Sequence, residues 1–239
     1  MTPPQNQAGG HARNFYGRRI GKSLRPSQRR LLEDCLEHRL IPGVEPKSNP
    51  QRLPADLSGC FSLGTPIWLE VGFGSGENLA RLAGMHPEVG FIGCEPYING
   101  VASLLSKLEA KGLSNVRIHP GDVRELFDVA PEDSVDRVFL LYPDPWPKRR
   151  HHRRRFVSPE YLEPLARMMR PDAELRIATD VPDYARQAVV ELRRNGNFRW
   201  CAARRADWMD RWEGWESTRY EKKAEREGRT SIYLNFARH

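Results

Sequence analysis

Pro66-Ile67-Trp68-Leu69-Glu70-Val71-Gly72-Phe73-Gly74-Ser75-Gly76-Glu77 decides how the rest of the chain is read. Its first six residues have the apolar run of a buried strand, and a helix is expected from about Glu77. Between the two, glycines stand at alternate positions, which lets the backbone turn tightly and approach a ligand with no side chain in the way. The pattern is that of a nucleotide cradle. A dinucleotide pyrophosphate loop has the spacing G-x-G-x-x-G, but the third position after Gly74 is Glu77. Glu70, two residues before the first glycine, would repel a pyrophosphate and favour a ligand bearing ammonium and sulfonium groups.

Outward from this loop, short apolar strands alternate with helices. VGFIGC (89–94), VRIH (116–119), SVDRVFLLY (134–142) and ELRIAT (174–179) read as strands, and FRWCAARR (198–205) and TSIYLNFAR (230–238) close the sheet. Val101, Leu104, Leu105 and Leu108 recur at i, i+3, i+4, i+7, so a helix spans about 97–110 and ends at Gly112. Further helices are expected near 159–170 and 182–194. Before the loop, a helix from Pro26 to Leu40 is stopped by Pro42-Gly43, and residues 42–66, with five prolines, read as a connecting loop. The first 25 residues, polar and rich in Gly and Arg, read as a flexible arm, leaving 26–239 as one domain. Strand and helix alternating from 66 to 194 imply an α/β fold. Its mostly parallel sheet is covered on both faces, with ligands at the carboxyl ends of the strands.

Composition narrows the class. With 239 residues, 39% of them hydrophobic, the chain can bury a substantial core. Its longest stretch without Asp, Glu, Lys or Arg, Leu57 to Leu69, is too short and too polar to span a bilayer, and residues 1–12 lack a secretory signal pattern. A cytoplasmic protein is expected. Cys35, Cys60, Cys94 and Cys201 are scattered, with no C-x-x-C pair, so neither a metal site nor a disulfide framework is expected. Charge is uneven. Residues 1–30 hold seven of the 38 Lys and Arg, and KRRHHRRR (148–155) holds six, with no acid in either. The remaining 25 bases face all 31 acids, so a body of −6 sits inside a chain of +7. Two basic segments on an acidic body suggest a polyanion partner, or else two solvated arms.

The E-x-G-x-G-x-G loop resembles motif I of the class I S-adenosylmethionine-dependent methyltransferases, a Rossmann-like fold with a seven-stranded sheet. That likeness implies S-adenosylmethionine as cofactor. It gives Glu95, at the end of the second strand, the ribose hydroxyls, and Asp122, after the third, the adenine side. Taken singly, Glu70 and Asp122 also read as loop acids or helix caps. The fourth strand ends in Tyr142-Pro143-Asp144-Pro145-Trp146-Pro147-Lys148, whose three prolines present Asp144 rigidly. This resembles the D/N-P-P-Y/F motif of methyltransferases acting on base nitrogens, although an Asp bonding its own backbone in a Pro turn is the common alternative.

The full string PDPWPKRRHHRRR resembles the TrmB family, the bacterial tRNA guanine-N7 methyltransferases. Phe15-Tyr16-Gly17-Arg18-Arg19 is similar to that family's amino end, and Thr218-Arg219-Tyr220-Glu221 with Gly228 and I-x-L-x-F (232–236) is similar to its carboxyl end. The resemblance implies that Glu70, the loop of Gly72, Gly74 and Gly76, Glu95, Asp122 and Asp144 contact the cofactor, with Asp144 also catalytic. Lys148, Asp180, Thr218, Arg219, Tyr220 and Glu221 would hold the substrate. Arg150, His151, His152, Arg153, Arg154 and Arg155 would touch RNA, and the product would be a methylated guanine in the tRNA variable loop.

Several residues keep a second reading. Asp180 could cap the helix starting at Pro182. The two histidines have no partner at metal spacing and read as neutral phosphate or ribose contacts. Trp208, Trp212 and Trp215, at i, i+4, i+7, fit one buried helix face better than a base-stacking stripe. Without the resemblance, Arg219 and Glu221 would be surface charges. Two other functions compete: an exocyclic-amine methyltransferase on rRNA or DNA, and a non-catalytic tRNA-binding protein. Whether the chain is a monomer or a homodimer is open.

Overall fold

The computed structural model describes residues 16–239; the first part of the expected arm, residues 1–15 with Phe15, lies outside them. Seven strands form one sheet: β1 (Ile67–Val71), β2 (Gly90–Cys94), β3 (Val116–His119), β4 (Val135–Leu141), β5 (Met169–Thr179), β6 (Phe198–Trp200) and β7 (Ile232–Arg238), in the order β3-β2-β1-β4-β5-β7-β6. Neighbours are parallel except β7, which runs against both β5 and β6. Among the described residues eight α-helices accompany them: α1 (Pro26–Cys35), α2 (Glu77–Met85), α3 (Ile98–Lys111), α4 (Val123–Phe127), α5 (Pro159–Met168), α6 (Pro182–Asn195), α7 (Ala206–Met209) and α8 (Arg219–Arg226).

The sheet is buried on both faces, as its continuous apolar strands require. Leu69, Val138, Leu140 and Ile177 point to one side, packing with Phe127, Leu165 and Leu192 of α4, α5 and α6. Phe91 and Phe139 point to the other, with Leu79 of α2 and Leu104, Leu105 and Leu108 of α3. Each such side chain contributes about 1.5–3 kcal/mol on burial. α3 ends where its sequence says: Gly112, at φ +61°, returns its N–H to the carbonyls of Leu108 and Glu109. No helix of the described residues is long and apolar enough to cross a membrane.

Three expectations change. The helix from Pro26 stops at Cys35 and continues only as a 3-10 turn, Glu37–Arg39. Residues 42–66 form the connecting loop expected, docked on the body: Val44, Ala55 and Leu57 are buried, and the Ala55 N–H donates to Val129 O at 2.8 Å. The described arm residues do not stand away from the body. Gly21 N donates to Asn99 Oδ1 (2.9 Å), Asn99 Nδ2 to Lys22 O (2.7 Å) and Ile98 N to Arg19 O (3.0 Å), clipping the arm to the start of α3. The three tryptophans pack inward, but not from one helix. Only Trp208 lies in α7, against Trp200, while Trp212 and Trp215 follow in a loop and meet the Tyr233 ring edge-on at 5.3 and 6.2 Å.

Candidate cofactor and substrate site

β1 is flanked by β2 on one side and β4 on the other, so the connections leaving its carboxyl edge diverge and open a crevice. There a cavity of about 400 Å3 is walled by Gly72 and Gly74 after β1, Glu95 after β2, Asp122 after β3 and Asp144 after β4. Gly72 takes φ +69°, and a Cβ added to it would meet open space, so the loop exposes its backbone to the cavity. Gly76, at φ +72°, begins α2, and a Cβ there would stand 2.7 Å from Leu104.

Both oxygens of Glu95 hold backbone: Gly74 N donates to one at 2.7 Å and Tyr97 N to the other at 2.9 Å. Burial pushes its carboxyl above the usual range, against those two bonds. Glu70 lies beneath the loop at 3% exposure, accepting from Asn78 Nδ2 at 2.9 Å, and faces a smaller adjoining cavity with Thr218 and Tyr220. Burial pushes it up to about 8. Asp122 both caps and lines. It accepts from Arg124 N at 3.0 Å at the start of α4, pairs with the Arg124 guanidinium at 2.6 Å, and forms part of the cavity wall.

Asp144 is exposed on the cavity wall and makes no hydrogen bond or ion pair to another described residue. It therefore does not bond its own backbone as a Pro-turn Asp would. Tyr142 (φ +49°) and Trp146 (φ +41°) flank it in the left-handed region, a strained conformation for bulky residues. Tyr142 N bonds Ala178 O at 2.7 Å, and its ring stacks on Tyr220, centroids 6.3 Å apart.

The carboxyl-end motif gathers at the same mouth. Thr218 Oγ1 caps α8 by accepting from Glu221 N (3.2 Å), and Tyr220, with Arg219 Nη2 at 3.2 Å from its hydroxyl, lines both cavities. Glu221 corrects the surface-charge alternative. At 1% exposure, it accepts from Arg211 Nε and Trp215 Nε1, each at 2.7 Å, and from the Tyr233 hydroxyl at 2.5 Å. Burial opposes its ionisation, yet Tyr233, Trp215 and Arg211 together hold the carboxyl below its usual range. Asp180 is not a cap: the α6 N-cap is Val181, and Asp180 pairs with Arg229 Nε at 2.7 Å.

The basic run forms a 3-10 helix, Arg149–Arg154. Lys148, Arg149, Arg150 and Arg153 are exposed, and His151 and His152 half-buried. Desolvation, then Arg154, Arg150, Lys148 and Arg153, push His151 below its usual range, so it stays neutral near pH 7. Arg154 turns inward, its guanidinium 4.3 Å from the Tyr16 ring and 5.0 Å from Trp146, and lines the cavity. Arg155, expected on RNA, is instead 1% exposed, its guanidinium withdrawn from solvent. A run of like charge reads as solvated throughout, and only the turn of the helix decides which members face in.

The sequence reading missed Asn78, which holds Glu70, and Arg211, which holds Glu221. Asn78 left a signal, a polar residue on the buried face of α2; Arg211 left none. Among the described residues no group of His, Cys, Asp and Glu could hold a metal ion.

A family model described as a putative methyltransferase matches residues 64–234. A tRNA (guanine-N(7)-)-methyltransferase of Ruegeria pomeroyi is 59% identical over 95% of this chain and 94% of its own. One from Jannaschia sp. is 57% identical over 94% of each, and one from Rhodopseudomonas palustris 44% over 96% and 89%. Of solved structures, the 16S rRNA methyltransferase KamB superposes with a TM-score of 0.55 at 16% identity, over 84% of this chain and 98% of that one. An antibiotic-related methyltransferase gives 0.53 at 20% identity, over 84% and 99%. These two share the fold. With the matched length and the identity to these relatives, the chain belongs to the tRNA (guanine-N(7)-)-methyltransferase family.

Proposed function

We propose that the chain transfers a methyl group from S-adenosylmethionine to N7 of a guanine in the tRNA variable loop. One observation carries this reading: Asp144 stands on the wall of the cavity formed by Gly72, Gly74 and Glu95, and a cationic helix with Arg149, Arg150 and Arg153 exposed begins five residues later. The cavity suits the cofactor. It combines bare backbone at Gly72, three carboxylates, and apolar walls from Val123, Leu140 and Phe156. Glu95 would take the ribose hydroxyls, Asp122 and Val123 the adenine side, and Glu70, under the loop, the ammonium end.

The cofactor supplies an electrophilic methyl group on a sulfonium. Guanine N7 has an in-plane lone pair and no proton, so no general base is required. The chain's task is alignment, which can contribute about 7–11 kcal/mol. Asp144 accepts a hydrogen bond from a guanine N–H and favours the positive charge growing on the purine. Thr218, Arg219 and Tyr220 frame the mouth, Glu221 holds that frame, and Asp180 and Lys148 would meet the substrate.

Incubation with methyl-labelled S-adenosylmethionine and total tRNA, followed by nuclease digestion and mass spectrometry, tests the reading. Label in N7-methylguanosine is expected. Label only on N2 or N6 would overturn it in favour of an amine methyltransferase, and no transfer in favour of a binding protein.

Two further outcomes are expected. Because burial pushes Glu70 up to about 8 and a cationic ligand favours its carboxylate, cofactor binding near pH 7 is expected to release protons, and affinity to weaken as pH falls. Calorimetry in buffers of different ionisation enthalpy reads this directly; identical heats in all buffers would remove Glu70 from the site. Replacing Arg149, Arg150 and Arg153 together by alanine should flatten the log–log salt dependence of tRNA binding by about 0.7–0.9 for each phosphate no longer neutralised. An unchanged slope would mean the cationic helix is merely solvated.

A further inference from the structure

Arg155 ends a run of cations yet is withdrawn from solvent, and its surroundings explain why. Its Nε–H donates to Pro145 O at 2.8 Å, Nη1 to Gln187 Oε1 at 2.7 Å, and Nη2 both to Asp183 Oδ2 at 2.7 Å and to His152 Nε2 at 3.0 Å. Its guanidinium also lies 5.4 Å from the centre of the buried Tyr184 ring. These partners come from three places: the loop carrying Asp144, the cationic helix, and the first two turns of α6. The hydrogen bond from Arg155 is the main cause holding the Asp183 carboxyl below its usual range.

Burying a guanidinium costs several kcal/mol unless its donors are met. Here the planar fork meets acceptors on all three elements at once, which the compact ammonium of a lysine cannot do. We propose that Arg155 is a positioning residue, not an RNA contact: it fastens the Pro145 carbonyl, in the residue next after Asp144, to α6 and joins it to the cationic helix, so that Asp144 and the phosphate grip move as one rigid piece. This rests on the function proposed above for Asp144. Pro145 immediately follows Asp144, so freeing its carbonyl lets the carboxylate wander, and a displacement near 1 Å can cost about 10²-fold in rate.

The test compares Arg155→Lys with Asp183→Asn, the latter at a site whose side chain is 55% exposed and so outside the core. Rates are taken per cofactor-binding protein, so that misfolded material drops out. For Arg155→Lys, kcat is expected to fall about 10²-fold, with KM for tRNA and its salt slope as in the parent. Asp183→Asn should give the same pattern, weaker. Labelling with 5-fluorotryptophan, and assigning Trp146 by Trp146→Phe, adds a direct readout: the Trp146 fluorine resonance should shift or broaden in both variants. A raised KM with a flatter salt slope and intact kcat would make Arg155 an RNA contact and overturn the proposal. An unchanged kcat with an unchanged Trp146 resonance would overturn it equally. If the unaltered protein methylates no guanine N7, the functional reading fails on its own, and the Trp146 resonance still decides whether Arg155 holds the loop.

Discussion

Asp144→Ala is expected to slow methyl transfer by about 10²- to 10³-fold, the usual loss when one group aimed at transition-state charge is removed. The fold should not suffer, because this exposed carboxylate bonds no other described residue. Binding of tRNA should stay close to that of the parent, so the loss appears in single-turnover rates at saturating cofactor and tRNA. Asp144→Asn separates the two parts of its role. The amide oxygen can still accept from a guanine N–H, while the charge that favours the growing cation is gone, so an intermediate rate is expected. Undiminished turnover in Asp144→Ala would remove the residue from the chemistry.

Gly100→Ala should be the most damaging small change. In an ordinary helix the substitution stabilises by about 0.5–1 kcal/mol. Gly100 lies in the first turn of α3, where an added Cβ would sit 2.1 Å from Gly74 O and 3.3 Å from Glu95 Cγ. The obstacle is backbone, not a side chain that could swing aside, so the glycine loop itself must move. Overpacking of this kind costs about 1–3 kcal/mol. Taken up wholly by the loop, that is about 5- to 150-fold in cofactor affinity. Calorimetric titration with S-adenosylhomocysteine, beside a melting curve, measures both parts. A variant that melts higher and binds as before would contradict the packing of α3 on the loop.

The parts legible in the sequence were those written in local pattern. The alternating glycines after an apolar strand, the helical period of Val101 to Leu108 and the stop at Gly112 each sit within a few turns of chain, and the structure has them there. α8 left no such signal: in Arg219–Arg226 only Glu221 and Ala224 are buried, so no apolar period exists to be read. Residues 42–66 hide their docking for a related reason, since the buried Val44, Ala55 and Leu57 are separated by prolines that break any period. Partners distant along the chain decided the remaining cases. Asp180 stands at cap spacing before Pro182, yet its partner Arg229 lies 49 residues on. Glu221 takes a hydrogen bond from Tyr233 on β7, and Arg155 is drawn inward by α6. A charged residue's local sequence says that it prefers water, and only the fold supplies the donors or acceptors that overrule this.

The central claim is that the glycine loop, Glu95 and Asp144 bound a single pocket for a sulfonium nucleoside. A crystal structure with S-adenosylhomocysteine tests it most directly. The ligand is expected in the cavity between Gly72 and Asp144, its ribose on Glu95 and its base toward Asp122 and Val123. Ligand found elsewhere, or Asp144 turned away from the ligand's sulfur, would contradict it.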